Sequence, residues 1–179
     1  MTTIRYEWND GDTRRILELV HVEGTNGRPY GFGEGDDARR IEVRGFFAAT
    51  VPVTQALWTH VMGADNPAVR RGAQLPLENV SWDEIVRPSG FLDRLNVSLI
   101  RSQVTAQIPP GAWVFRLPSE TEWEYAARGG PHWRDGLRFS GSNDIDRVAW
   151  YDRRGGDHTQ EVAQKGPNQL GLYDMSGNV

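Results

Sequence analysis

With 179 residues and a net charge of −4, the chain has the length of one domain, and seven Trp, six Phe and five Tyr supply bulky material for a core. The acidic balance and the dispersed basic residues argue against a nucleic-acid-binding protein, and the absence of Cys excludes disulfides, thiolate chemistry and cysteine metal sites. No apolar run approaches the roughly 20 residues that cross a bilayer, and the first residues lack the apolar core of a signal peptide, so we expect a cytoplasmic protein without a membrane partner.

Two strands are predicted in the first fifty residues. The β-rich apolar run within residues 14–23 predicts a strand at about residues 15–22. A glycine-rich loop follows from Gly24 to Asp37. Beyond this loop, Ile41 and Val43 alternate with charged residues, so a second strand is predicted at about residues 39–50.

The next segment predicts a short amphipathic helix. Thr54 is a suitable N-cap and Gly63 a suitable stop for a helix at residues 54–62. Leu57 and Trp58 belong to its apolar stripe and are expected to be buried.

A capping box formed by Ser81 and Glu84 predicts the start of another helix. Pro88 interrupts it, because proline removes a backbone donor and clashes with the preceding turn at a cost of about 3 kcal/mol or more. We therefore expect a helix at residues 82–87, a break, and a further turn or two from Phe91 to Leu95.

The clearest helix signal lies between Arg116 and Gly130, in R-L-P-S-E-T-E-W-E-Y-A-A-R-G-G. Ser119 and Glu122 form a second capping box, and the two final glycines can adopt the left-handed conformation that ends a helix. Few polar side chains remain for a solvent-facing side. The pattern therefore predicts a buried structural helix in which Trp123 is largely buried.

The remaining segments are predicted to be irregular connections with short strands. Residues 97–112 are predicted to form a surface excursion. Trp113–Leu117 is predicted to form a short strand that leads into the central helix. A further short strand is predicted at Gln160–Gln164, and a turn at Gly166–Asn168. Neither a pair of His at ligand spacing nor a nucleophile or phosphate-binding motif appears, so the residues alone indicate no active site.

Four stretches carry a family pattern when they are taken in order. They are P-V-T-Q-A-L-W from Pro52, P-L-E-N-V-S-W-D-E from Pro76, the central helix, and G-L-Y-D-M-S-G-N-V from Gly171. Together they resemble the formylglycine-generating enzyme family, also called sulfatase-modifying factors, most strongly over roughly residues 40–179. The resemblance implies one domain over residues 1–179 with an α+β, variant C-type-lectin-like fold: two main helices, short strands and extensive irregular loops.

The resemblance implies an enzyme that oxidises a substrate cysteine to formylglycine and holds copper with its own pair of cysteines. In the family these cysteines follow the G-N-x-W-E-W motif, whereas this sequence ends within that motif at Val179. We therefore expect a domain that lacks its C-terminal part. Because copper(I) prefers thiolate ligands, we assign no catalytic or cofactor-binding residue and expect no copper in this chain.

The resemblance also implies a structural calcium site. Family members bind calcium through a side-chain oxygen and backbone carbonyls around the G-N-x-W-E segment, and the matching positions are Asp174, Gly177 and Val179. The glutamate that completes the site falls beyond Val179, so we expect an incomplete site. The alternative is that Asp174 only caps a turn.

Three functions stay open. The first is a non-catalytic ligand-binding or protein-binding domain, which includes the type that retroelements diversify near the C-terminus. The second is the N-terminal portion of a copper-dependent formylglycine-generating oxidase whose cysteines lie beyond Val179. The third is a sensor or scaffold module of a signalling protein.

A partner is expected at the end of the sequence. Leu172, Tyr173, Met175 and Val179 are apolar and would normally pack beneath further chain. We therefore expect a protein partner, a second copy or a separate C-terminal fragment to cover Leu170–Val179. The alternative is a solvent-exposed tail.

Overall fold

A computed structural model gives the fold, and it describes residues 2–33, 38–63, 65–101, 114–151 and 158–179. The strands in these residues are β1 (Thr3–Asp10), β2 (Thr13–Val22), β3 (Tyr30–Phe32), β4 (Arg39–Ile41) and β5 (Phe46–Ala49). The α-helices are α1 (Gln55–Met62), α2 (Trp82–Val86), α3 (Phe91–Arg101) and α4 (Glu120–Ala127). Two short 3-10 helices follow, at Gly130–Asp135 and Ile145–Arg147. The predicted mixture of helices and short strands is confirmed.

The N-terminal hairpin pairs β1 with β2 in antiparallel register from Thr3 opposite Val20 to Asp10 opposite Thr13. On β1 the side chains alternate between solvent and core, and three of them are buried: Ile4, Tyr6 and Trp8. Sequence analysis missed β1, although its alternation of apolar and polar residues was the signal for a strand.

β2 is the central strand of a three-stranded antiparallel sheet, between β1 and β5. Leu17 and Leu19 are buried on one face of the sheet, while Val20 and Val22 are buried on the other. The second half of β2 is therefore covered on both sides. The predicted strand is confirmed, although it begins at Thr13.

The strand predicted at residues 39–50 is instead divided between two sheets, since β4 pairs with β3 and β5 pairs with β2. Val43, between β4 and β5, is bonded to Thr25. The Thr25 amide donates to the Val43 carbonyl oxygen at 2.9 Å, and the Thr25 Oγ1 accepts from the Val43 amide at 3.1 Å. A Cβ on Gly24 would lie 2.6 Å from that carbonyl oxygen, so this crossing requires a glycine.

A first hydrophobic cluster fills the space between one face of the sheet and the helices α1 and α3. Its core is the stack of Trp58 on Phe91, with ring centroids 5.1 Å apart and planes at 13°. The buried members of the cluster are Ile4, Tyr6, Trp8, Leu17, Leu19, Ala56, Leu57, Trp58, Leu77, Phe91, Leu95 and Leu99. The predicted burial of Leu57 and Trp58 is confirmed, as are the N-cap Thr54 and the C-cap Gly63.

Pro88 ends α2 as predicted, but α3 is longer than the predicted turn or two. Phe91, Leu95 and Leu99 are buried at a spacing of four residues, which holds the helix against the first cluster as far as Arg101. The predicted surface excursion at residues 97–112 is therefore wrong for its first residues. Its remainder lies outside the described residues.

A second hydrophobic cluster lies on the other side of the sheet and buries α4. Its buried members are Val20, Val22, Tyr30, Val43, Tyr125, Ala126, Leu170 and Leu172. The predicted capping box of Ser119 and Glu122 begins α4, and Gly129 and Gly130 follow it with φ of 86° and 57°. The predicted burial of Trp123 is wrong, because this side chain is 47% exposed. Tyr125 faces the core, and two residues along a helix are about 200° apart, so Trp123 lies on the other side.

The two further strands that were predicted do not form in the described residues. Residues 114–118 and 158–164 are irregular, and Trp113 lies outside the described part of the chain. The turn predicted at Gly166–Asn168 instead begins at Asn168, whose carbonyl oxygen accepts from the Gly171 amide. In the part of the chain that the structure describes, no helix is both long and apolar enough to cross a membrane.

Candidate functional site

An apolar groove of about 720 Å³ is lined by residues of the sheet and of the four helices α1 to α4. Its lining includes buried side chains of the first cluster, Trp123 and Ala126 of α4, and residues after Leu170. Four large apolar side chains that line it remain more than a third exposed: Val114, Leu117, Trp123 and Val179. An apolar surface of this kind on a folded domain indicates binding of another molecule.

Strand β5 borders this groove along its whole length. Within the described residues it is an edge strand of the three-stranded sheet, and its residues are all partly buried. Edge strands can accept a further strand by backbone pairing. Just after β5, the Thr50 carbonyl oxygen accepts from the Tyr173 amide at 2.9 Å, which fixes the terminal segment at one end of the groove.

A charged pair stands at the entrance to α4 on the rim of the groove. Arg116 donates to both carboxylate oxygens of Glu122, at 2.7 and 2.6 Å. The Arg116 guanidinium, aided by the Ser119 amide, lowers the pKa of Glu122 to about 2, against the opposing effect of burial. The pair holds the Leu117–Pro118 segment, which lines the groove, against the helix start.

Asn168 connects α4 to the terminal segment, and sequence analysis did not identify this role. Its Nδ2 donates to the carbonyl oxygens of Ala126 and Ala127 at the end of α4. Its Oδ1 accepts from the amides of Leu170 and Leu172. The sequence signal was only an Asn just before a glycine turn. It could not identify the partners of Asn168 on α4, because they are about forty residues away in the chain.

The predicted calcium ligand Asp174 is buried, with 9% of its surface exposed. Its Oδ2 accepts from the Ala163 amide at 2.9 Å, which ties the terminal segment to a neighbouring loop. Its Oδ1 is buried, and among the described residues no donor reaches it with good hydrogen-bond geometry. Burial raises the pKa of this carboxyl, although the Ala163 amide and the Asn178 side chain act in the opposite direction. The buried Oδ1 is of the chemical type that binds a hard cation.

The other two predicted ligands do not complete such a site. The Gly177 carbonyl oxygen accepts from the Trp150 amide at 3.4 Å, and Val179 is 69% exposed at the edge of the groove. Within the described ranges, no group of three acidic or histidine side chains could hold a metal ion. Calcium normally takes six to eight oxygen ligands. A calcium site at Asp174, Gly177 and Val179 therefore stays a prediction.

A model of the family described as "Sulfatase-modifying factor enzyme 1-like domain" matches residues 13–179. Among curated proteins, the chaperone protein LppX of Paenibacillus barcinonensis is 32% identical over 204 aligned residues, which cover 94% of this chain and 71% of LppX. The formylglycine-generating enzyme of Mus musculus is 28% identical over 142 residues, which cover 72% of this chain. The chain spans only 32% of that enzyme.

The fold is shared with solved structures. Treponema denticola variable protein 1 is 26% identical and superimposes with a TM-score of 0.73, covering 98% of this chain and 74% of that protein. The capped helices α1, α2 and α4 and the terminal segment lie within the residues that the family model matches, as does the lining of the groove apart from Ile4 and Tyr6.

Proposed function

The chain belongs to the family of sulfatase-modifying factor enzyme 1-like domains. We propose that this member of the family is a non-catalytic domain that binds an extended apolar polypeptide segment in its groove. The observation that carries the proposal is the groove itself, which is open, mostly apolar and about 720 Å³ in volume. This volume falls within the range of roughly 300–1,000 Å³ that is typical of ligand sites.

An extended polypeptide fits this groove better than a compact apolar ligand does. β5 offers a sheet edge beside the apolar lining, so backbone pairing and side-chain burial act on the same segment. Side chains alternate along an extended segment, so that one side can face the groove and the other can face water. The segment would cover Tyr173, Met175 and Val179, which lie within Leu170–Val179, the stretch for which we expect a partner.

The absence of Cys supports a role without catalysis, because the copper-binding thiols implied by the family resemblance are not in this sequence. The names of two similar proteins favour binding: LppX is called a chaperone protein, and the Treponema denticola protein is called variable. The sensor or scaffold role and the cytoplasmic location stay predictions.

A second candidate function is the N-terminal portion of a formylglycine-generating oxidase, and the similarity to the mouse enzyme favours it. In that case the cysteines and the copper site come from residues beyond Val179, and the same residues fill the groove. The gene sequence after Val179 distinguishes the two candidates. A pair of cysteine codons in the same reading frame favours the oxidase, whereas a segment without cysteine favours the binding domain.

The proposed binding is tested with a fluorescent eight-residue peptide in which Val or Phe alternates with Ser. We expect saturable binding by fluorescence anisotropy, and we expect Trp123→Glu to weaken it about tenfold or more, because it places a charge in the apolar groove. Trp123 is half-exposed, so this variant should still fold.

Trp82→Glu is the matched control. Trp82 is 66% exposed on α2 and does not line the groove, so this variant introduces the same charge elsewhere. It should bind the peptide like the parent chain. Equal losses in the two variants, or no saturable binding by the parent chain, would contradict the proposed function.

A further inference from the structure

A second concave surface lies outside the apolar groove and shares no lining residue with it. This arginine cleft has a volume of about 450 Å³ and is lined by Gly27, Arg28, Pro29, Gly31, Arg40, Trp133 and Arg134. Three guanidinium groups therefore border one cleft in a chain whose net charge is −4. The overall composition does not account for such a concentration of positive charge.

Each arginine of the cleft comes from a different backbone element. Arg28 closes a tight turn by donating its amide to the Thr25 carbonyl oxygen at 2.9 Å. Arg40 lies on β4 directly opposite Gly31 of β3. Arg134 lies in the 3-10 helix Gly130–Asp135. The fold brings together three cations of which Arg28 and Arg134 are more than a hundred residues apart, so no local run of basic sequence explains the cleft.

Trp133 contributes an aromatic wall to the cleft. Its ring packs edge-on against the fully buried Tyr30, with centroids 5.3 Å apart and planes at 89°. The Arg134 guanidinium carbon lies 5.0 Å from the Trp133 ring centroid, a cation–π contact that orients the charge. A Cβ on Gly31 would lie 4.0 Å from the edge of the Trp133 ring, so β3 approaches the indole closely.

The three cations have no acidic partner in the described part of the chain. Elsewhere Arg116 pairs with Glu122, and Arg128 with Glu124, but no such ion pair involves Arg28, Arg40 or Arg134. All three are exposed to solvent. Asp135, next to Arg134 in sequence, instead accepts from the Gln169 side chain at 3.2 Å.

We propose that the arginine cleft is a binding site for a small multivalent anion that carries phosphate or carboxylate groups. Planar guanidinium groups donate two parallel hydrogen bonds to either group, and several of them around one concave surface suit a ligand with more than one charge. The site is independent of the apolar groove, so it does not require the proposed polypeptide binding.

Fluorine NMR of the full chain labelled with fluorotryptophan tests this proposal. Trp133→Phe identifies the resonance of Trp133, and pyrophosphate and citrate are the two probes, each titrated at constant ionic strength. We expect the Trp133 resonance to shift and saturate below about 10 mM of at least one probe. Saturation with pyrophosphate alone assigns a phosphorylated ligand, and saturation with citrate alone assigns a carboxylate ligand.

Arg40→Gln and Arg134→Gln should each raise the dissociation constant about tenfold, the loss expected for a charged hydrogen bond. Arg71→Gln is the matched control, because Arg71 is exposed and lies outside the cleft. Far-UV circular dichroism and the melting temperature verify that each variant is folded. A Trp133 resonance that does not saturate, or an equal loss in Arg71→Gln, would show only nonspecific attraction and overturn the proposal.

Discussion

Glu122 combines two roles at the start of α4. Its carboxylate accepts from the Ser119 amide at 2.8 Å as part of the capping box, and it also pairs with Arg116. The folded state therefore stabilises the charged form, and the pKa falls from its ordinary 4.5 to about 2. A carboxyl with a lowered pKa contributes stability above about pH 4.5, and this contribution is lost as the pH falls towards 2.

We predict that Glu122→Gln lowers the melting temperature at pH 7, and that the difference from the parent chain shrinks between about pH 4.5 and pH 2. Arg116 is more than half exposed, so solvent screening keeps the effect below what the change in pKa implies. Thermal melts across this pH range measure it. Glu120→Gln removes an exposed charge from the same helix turn, and its melting temperature should stay close to that of the parent chain at every pH. If the melting temperatures of Glu122→Gln and the parent chain differed by the same amount at every pH, the role of Glu122 would be contradicted.

Tyr30 makes a partly buried hydrogen bond that connects the β3–β4 sheet to α4. Its hydroxyl donates to Glu124 Oε1 at 2.5 Å, and burial together with the Glu124 charge raises the pKa of the phenol. Tyr30→Phe should lower the free energy of unfolding by about 1.5–3 kcal/mol, the range for a hydrogen bond to a charged group. Tyr125→Phe, which loses a neutral bond to the Glu23 carbonyl oxygen, should cost only about 0.5–1.5 kcal/mol. Urea unfolding of the two variants should give this order, and the reverse order would contradict the assignment.

The buried Oδ1 of Asp174 gives a test for calcium. If the site binds the ion, about 5 mM CaCl₂ should raise the melting temperature of the parent chain relative to EDTA. The melting temperature of Asp174→Asn should be the same in both solutions. In EDTA the variant should be at least as stable as the parent, because Asn removes a buried charge while its oxygen still accepts from the Ala163 amide. An equal response of both proteins to calcium would contradict a site at Asp174.

At the residue scale, sequence reasoning identified contacts whose two partners are close in the chain. Ser119 with Glu122 is such a case, since a capping box requires only a spacing of three residues. Asn168 was not identified, because it bonds to Ala126, 42 residues away. Its role depends on a tertiary arrangement that no local pattern encodes.

At the element scale, Trp58 in α1 and Trp123 in α4 differ in burial, although the caps of both helices were predicted correctly. Trp58 is 3% exposed, stacks on Phe91 and donates its indole N–H to the Asp65 carbonyl oxygen at 2.6 Å. We predict that Trp58→Ala costs about 3–5 kcal/mol. Trp123→Ala should cost only about 1 kcal/mol, because nearly half of this side chain already contacts water. Equal losses in chemical denaturation would contradict the placement of Trp123 at the groove.

The elements themselves were predicted where their signals are local and strong. The helix starts at Thr54, Ser81 and Ser119 are confirmed. The division of residues 39–50 between two sheets was not predicted, because it depends on the pairing of Thr25 with Val43 across the glycine-rich loop. Alternation identifies a strand, but it does not identify the partner of that strand.

At the scale of the whole molecule, β2 separates two hydrophobic clusters, and the apolar groove opens beside the first of them. Sequence analysis expected uncovered apolar surface at Leu170–Val179. Leu170 and Leu172 are in fact buried within this chain, whereas Tyr173 and Met175 are only partly buried and Val179 is exposed. These last three residues line the groove. The position of the groove depends on how α3 and α4 approach the sheet, which the sequence pattern does not specify.

Hydrogen exchange with and without the alternating Val/Phe–Ser peptide tests the proposed polypeptide binding most directly. We predict that the peptide slows amide exchange in Phe46–Ala49 and in Leu170–Val179, while exchange in β3 and β4, outside the groove, stays unchanged. Unchanged exchange in both groove segments at saturating peptide, or protection confined to β3 and β4, would contradict the account.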